Sequence, residues 1–369
     1  FIEKKQTSEE EHMQFSKTST VLSAAVLGLG MASSSAFAAG KITFVSWGGA
    51  YTASQVKACI EPYQAATGQE FNIVDYNGGL AEVRTQVEAG NVQWDIIDQT
   101  PQDAIRGCDE GLYVQLDHSQ WQPAADGTPA TEDFVPNAMG DCYIGNISWS
   151  TVPAYDKTRV KGNPKTMADF WDVAKYPGRR GLRKTPRVNM EWALMADGVP
   201  NDKIYETLST DAGVSRAFAK LDEIKDDVVW WEAGAQPPQM LADGEVVMTT
   251  AYNGRLFNAM YKENKPFEIM WGPQVFDIDT YVVVKGSPNQ KAAMEFLKFC
   301  TSAEALADTT NYISYGPLRK SSTAFVNPAI LPHLPTAPKN FKTALTYDIN
   351  FWADNADDLQ ERFNSWLAK

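Results

Sequence analysis

The sequence predicts an α/β protein of two lobes with a cleft between them, on three observations. The chain has 369 residues, enough for more than one core-bearing body. Residues 41–111 alternate strand-like and helix-like runs, with glycines closing the helices. That alternation is the pattern of a mainly parallel sheet covered by helices on both faces. Residues 143–156 (YIGNISWSTVPAYD) then form a long β-type run without a helix, as when a chain crosses from one lobe to another.

Lys41–Trp47 is expected as the first strand. Val56, Ile60 and Tyr63 have helical spacing and place a helix over Ser54–Thr67, stopped by Gly68. Phe71–Tyr76 is the second strand, Leu80–Ala89 a helix, Trp94–Asp98 the third strand and Pro101–Glu110 a helix before Gly111. Beyond the crossing run, Thr166 suits an N-cap for a helix over Met167–Val173. Helices follow at 188–196 and Val214–Ile224. Strands are expected at Val246–Thr250, Phe267–Trp271 and Thr280–Val284, a helix at Gln290–Cys300, and a helical tail over Ala344–Lys369. Ligands in such folds gather at the carboxyl ends of strands. Two ends stand out, Trp47-Gly48-Gly49-Ala50-Tyr51 and Asp98-Gln99-Thr100.

A net charge of −13 with no lysine/arginine stripe argues against a nucleic-acid partner. Met13–Lys17 is a short basic start, Thr20–Met31 is apolar, and Ala36-Phe37-Ala38 gives a small-x-small pattern. Residues 13–38 therefore read as a secretory signal peptide cleaved after Ala38, too short to span a membrane. Residues 1–12 read as vector or upstream sequence, and the mature protein is expected in the periplasm. Four cysteines in an oxidising compartment allow three full pairings, which sequence alone does not choose between. Cys108 and Cys142 are expected to pair, since one ends the helix after the third strand and the other begins the crossing strand of the same lobe. Cys59 and Cys300, each on an amphipathic helix, are expected to stay free. Without CxxC, and with His118 and His333 far apart, neither a metal nor another cofactor is expected.

Several blocks, in order, resemble the periplasmic solute-binding proteins of ABC importers, of the polyamine (spermidine/putrescine)-binding type. They are the strand ending in Trp47, WDIID, AYDK, PKTMADFWDVAKYPGRRGL, ADGEVVMTTAYNGRLFNA, FDIDTYVVVKGSPNQKAAMEFLKF and Ser314-Tyr315-Gly316-Pro317. The resemblance implies the two-lobed periplasmic binding protein fold, with one lobe from 39–148 plus 274–316 and the other from 149–273 plus 317–369. It also implies a monomer that gives a small amine-bearing solute to permease and ATPase subunits.

The expected site follows from both sources. The face of Trp47 attracts an alkylammonium ion, the glycines beside it allow close approach, and Tyr51 flanks it. Asp277 and Asp279 are two apart, so they share a face of their strand. The resemblance makes Asp279 the main ammonium partner. It also brings in Tyr252 and Tyr315, with Trp352 as a cap and Thr100 and Gln102 after the third strand. One of Trp230 and Trp231 is expected in the core, the other at the cleft with Glu232. The segment Lys184–Asn189 departs from the family pattern. It lacks the acids that hold a second amine and carries Arg187 instead. Arg187, or Arg255 after the Asn-Gly turn, suits a carboxylate. The alternative ligand is thus a zwitterionic ω-amino acid resembling γ-aminobutyrate. A secreted enzyme is the remote alternative. No GxSxG, P-loop or metal cluster supports it, and Asp277 and Asp279 are poorly separated for glycoside hydrolysis.

Overall fold

The computed structural model describes residues 40–369; the expected signal peptide and the residues before it lie outside the described residues. Among the described residues the twelve strands are β1 (Ile42–Ser46), β2 (Phe71–Asp75), β3 (Ile96–Gln99), β4 (Met139–Gly140), β5 (Tyr143–Asp156), β6 (Arg180–Arg183), β7 (Val228–Trp231), β8 (Met248–Tyr252), β9 (Phe267–Ile269), β10 (Val275–Val283), β11 (Gly316–Pro317) and β12 (Leu345–Thr346). The main order is β2-β1-β3-β10-β5-β8-β6-β7. The two ends, β2-β1-β3 and β8-β6-β7, are parallel. The antiparallel strands β10 and β5 join them.

The cores follow this division. Ile42, Phe44, Ile96, Ile144, Ile278 and Phe296 share one cluster. A separate and larger one gathers Tyr155, Phe170, Trp192, Val275, Trp352 and Phe363. Both β5 and β10 therefore begin in one core and end in the other, which makes the molecule two-lobed. No helix among the described residues is long and apolar enough to cross a membrane.

Local details correct the sequence reading in three places. The first helix begins at Gly49, ahead of the expected Ser54, and reaches Thr67 through a π-helical turn at Val56–Ile60. Gly48 precedes it at φ 70°, a backbone state that suits glycine. In the tail, Leu345–Thr346 pairs with β10, and the helix starts only at Ile349, capped by Asp348, which accepts the Phe351 N–H at 3.0 Å. Cys59 and Cys300 are not free. They form a disulfide with Cα atoms 5.4 Å apart, because the π turn packs against the Gln290–Cys300 helix. Cys108 and Cys142 pair as expected, at 5.8 Å. The Met167–Trp171 helix carries a full capping box between Thr166 and Asp169.

Candidate functional site

A cavity of about 420 Å³ opens between the carboxyl ends of β1 and β3 on one side and β6, β7 and β8 on the other. Its apolar walls are Trp47, Trp149, Trp231 and Tyr252. Trp47 lies 4.9 Å from the Tyr76 ring. A side chain at Gly78 would meet the Trp47 ring at 2.9 Å, so only glycine lets that loop lie over the indole. Tyr252 stands edge-on to Trp149 and Trp231, at 5.1 and 5.7 Å. The glycines after Trp47 serve protein packing. A Cβ at Gly48 would strike Asp75, and one at Gly49 would strike the Arg255 guanidinium.

Charge is arranged around Arg187. Its Nη2 and Nη1 donate to the two oxygens of Asp103, at 2.8 and 3.2 Å, across the cleft between the Pro101–Asp109 helix and the loop after β6. The loop is held by Asn189 Nδ2, which donates to the Arg183 and Thr185 carbonyls at 2.6 and 2.7 Å. Val188, between Arg187 and Asn189, sits at φ 68°. For a β-branched residue this costs about 1–3 kcal/mol, and such strain collects at ligand clamps. Burial pushes Asp103 up, but Arg187 outweighs it and holds the carboxyl below its ordinary range. Burial likewise works against the Arg187 cation, and Asp103 more than restores it.

Asp277 also lines the cavity and accepts the Ile278 N–H at 2.8 Å. It makes no salt bridge among the described residues. Burial pushes its carboxyl up to about 8, opposed by that N–H and by Arg187. Four lining residues hold buried polar atoms with no partner among the described residues: Thr100 Oγ1, Gln102 Oε1, Trp231 Nε1 and Tyr347 Oη. Buried polar groups are nearly always paired, so these are natural contacts for a polar solute or water.

Of the expected site residues, Trp47, Thr100, Gln102, Arg187, Glu232, Tyr252 and Asp277 line the cavity. Glu232 is at its open rim, ion-paired with Lys184 at 3.3 Å. Trp231 faces the cavity, while Trp230 packs on Phe363 and Trp366. Tyr51, Arg255, Asp279 and Tyr315 lie behind the wall, all buried. Arg255 Nη2 donates to the Trp47 carbonyl at 2.9 Å, and its Nε and Nη1 are unpartnered. Trp352 does not cap the cleft. It is fully buried, its indole donating to Glu191 at 2.7 Å, because that face of the C-terminal helix belongs to the larger core. The sequence reading missed Asp103, Trp149 and Tyr347. Asp103, an acid in the first turn after β3, was the one with a local signal.

A two-lobed α/β molecule with an aromatic cleft and opposed charges is built to enclose a small solute. The chain belongs to the bacterial extracellular solute-binding protein family, whose model matches residues 58–339. It is 41% identical over 344 residues to the γ-aminobutyric acid-binding protein of Pseudomonas aeruginosa, covering 93% of this chain and 96% of that one. The periplasmic binding protein MotA of Agrobacterium tumefaciens B6, solved with glucopine, is 33% identical with a TM-score of 0.82, over 89% of this chain and 99% of that one. The Atu4243 γ-aminobutyrate receptor is 33% identical with a TM-score of 0.77, over 89% and 98%. The chain is thus a solute-binding protein of an ABC transporter and not an enzyme.

Proposed function

We propose that this protein captures a small zwitterion with one ammonium and one carboxylate, of the γ-aminobutyrate type, in the periplasm, and hands it to the permease of an ABC importer. The observation that carries this reading is the presence, in one cavity, of Asp277, without a cationic partner among the described residues, and Arg187 on the opposing loop. Asp277 suits the ammonium, Arg187 the carboxylate, and the Trp47, Trp149 and Tyr252 rings the methylenes between. The γ-aminobutyric acid-binding relative supports the same choice. A polyamine needs a second acid, and Asp103 and Glu232 are neutralised by Arg187 and Lys184; Arg187 gives two of its five N–H donors to Asp103 and keeps three for a carboxylate.

The lobe division proposed is the expected one with a later final crossing. Leu318 packs in the core of β1 and β3, Arg319 pairs with Asp133 at 2.7 Å, and Leu334 packs with Ala307. The segment up to Leu334 thus sits with the first lobe. The reading is tested by calorimetry and thermal shift with γ-aminobutyrate, 5-aminopentanoate, 1,4-diaminobutane and spermidine. A ligand at a hundredfold excess over its Kd adds about 2.7 kcal/mol of stability. Tighter binding of either polyamine than of both amino acids refutes the proposal.

A further inference from the structure

Behind the cleft wall lie two buried acids, Asp98 on β3 and Asp279 on β10. Tyr281 stands opposite Asp98 in the antiparallel pair, so Asp279, two residues earlier, lies diagonally beside Asp98 on the same face. Each acid accepts one indole N–H from the wall. Trp47 Nε1 donates to Asp98 Oδ1 at 3.1 Å, and Trp149 Nε1 donates to Asp279 Oδ1 at 3.0 Å. We propose that Asp98 and Asp279 are positioning residues that jointly fix the two tryptophans and so set the width of the aromatic slot for a linear amine. The proposal rests on the reading of this cleft as the ligand site.

The hydrogen bonding separates this role from direct ligand contact. Asp98 receives Trp47, Tyr51 Oη at 2.7 Å, Asn146 Nδ2 at 2.8 Å and Gln55 Nε2. An ionised carboxylate offers about four acceptor sites, so none is left for an ammonium ion. Asn146 is aimed at Asp98 by a register shift, for Asp279 pairs with Ile147 while Thr280 pairs with Gly145. The extra residue of a bulge re-aims its side chain. Two adjoining carboxyls away from water do not both ionise, so one holds a proton. Burial, reinforced by Asp98, raises Asp279 well above the ordinary carboxylate range, in keeping with Asp279 as the protonated member. The pair gives the slot fixed rings and no spare negative charge.

The test uses Asp279→Asn and Asp279→Leu in the whole mature chain, with near-ultraviolet circular dichroism, thermal unfolding and γ-aminobutyrate calorimetry. Asparagine keeps an oxygen for the Trp149 N–H and should hold affinity within about threefold, whereas leucine should lose about tenfold or more. The tryptophan bands should change with leucine and not with asparagine. If leucine prevents folding, Trp149→Phe, which keeps a ring without the N–H, should show the same tenfold loss. A tenfold loss in Asp279→Asn with unchanged tryptophan bands would mean that the charge itself meets the ligand, and overturns the proposal. If the wild-type chain does not bind γ-aminobutyrate, the functional reading fails. The tryptophan bands still decide the anchoring, and unchanged bands in Asp279→Leu refute it.

Discussion

Binding of an ammonium ion at Asp277 should expel a proton. In the free site burial pushes this carboxyl up to about 8. At pH 7 about one molecule in ten carries the free carboxylate, and selecting that form costs about 1.4 kcal/mol. At pH 6 the cost is about 2.7 kcal/mol. An alkylammonium ligand stays charged up to about pH 10, so across this range the titrating partner is the protein. Affinity for γ-aminobutyrate should therefore rise about tenfold per pH unit from pH 6 and level off above about pH 8. Calorimetry at pH 7 in two buffers of different ionisation enthalpy should register the release of nearly one proton. Asp98, Glu191 and Asp279 also have raised carboxyls, the first two at about 6 and about 7, so Asp277→Asn is the control that isolates the effect. The variant should bind weakly and with a flat pH profile. A flat profile in the wild-type protein, or the same slope in the variant, would refute the assignment of Asp277 as the ammonium partner.

Other consequences are as direct. Arg187→Ala leaves buried Asp103 with Arg106, 3.7 Å away, as its remaining cation, so the loss should fall below the cost of about 3–5 kcal/mol for a buried pair left with no partner. Chemical denaturation should show that loss, and calorimetry a shift of preference from γ-aminobutyrate toward 1,4-diaminobutane. Trp47→Ala should weaken binding by about 1–2 kcal/mol, because the ligand's methylenes lose the ring they pack on; unchanged affinity would remove Trp47 from the site. The disulfides should differ in worth: Cys59 and Cys300 lie 241 residues apart, Cys108 and Cys142 only 34. Loop entropy assigns them about 5 and about 4 kcal/mol, so Cys59→Ser with Cys300→Ser should lower the melting temperature more than the other double variant. In the free protein, Asp98, Glu191, Asp277 and Asp279 hold protons more tightly folded than unfolded. Their stabilising contribution is complete below about pH 4 and is lost as pH rises through about 6 and about 8. The melting temperature should fall between pH 6 and pH 9, and a rise would contradict the raised carboxyls.

What the sequence made legible was local. Strand–helix alternation, the Thr166 cap and the long crossing strand all depend on residues near one another in the chain, and they gave the two-lobed fold class. What it hid depended on partners far away. Trp352 reads equally as cap or core until Glu191, 161 residues distant in sequence, takes its N–H. Trp149 becomes a site residue only through a strand register that sets it opposite Asp277. Cys59 reads as a free helical thiol until the π turn brings it to Cys300. Gly48 and Gly49 advertised open space, yet that space is filled by Asp75 and Arg255 from other elements.

Asp277 and Asp279 show how finely the register divides one motif. Both point from the same face of β10, and composition gives no reason to treat them differently. Asp277 stands opposite Trp149, at the point where β5 and β10 pass between the lobes, and borders the cavity. Asp279 is one pleat further along, beneath the wall, where an indole and a second acid enclose it. Among the described residues no cation pairs with the outer acid, which the proposal leaves to the solute, while the inner one, raised by burial and by Asp98, accepts the Trp149 indole. A dication gains little from the inner acid, because its indole bond and its proton leave it no spare charge to offer. On the proposed reading the same strand supplies one negative end to the ligand, and Arg187 across the cleft supplies the positive one.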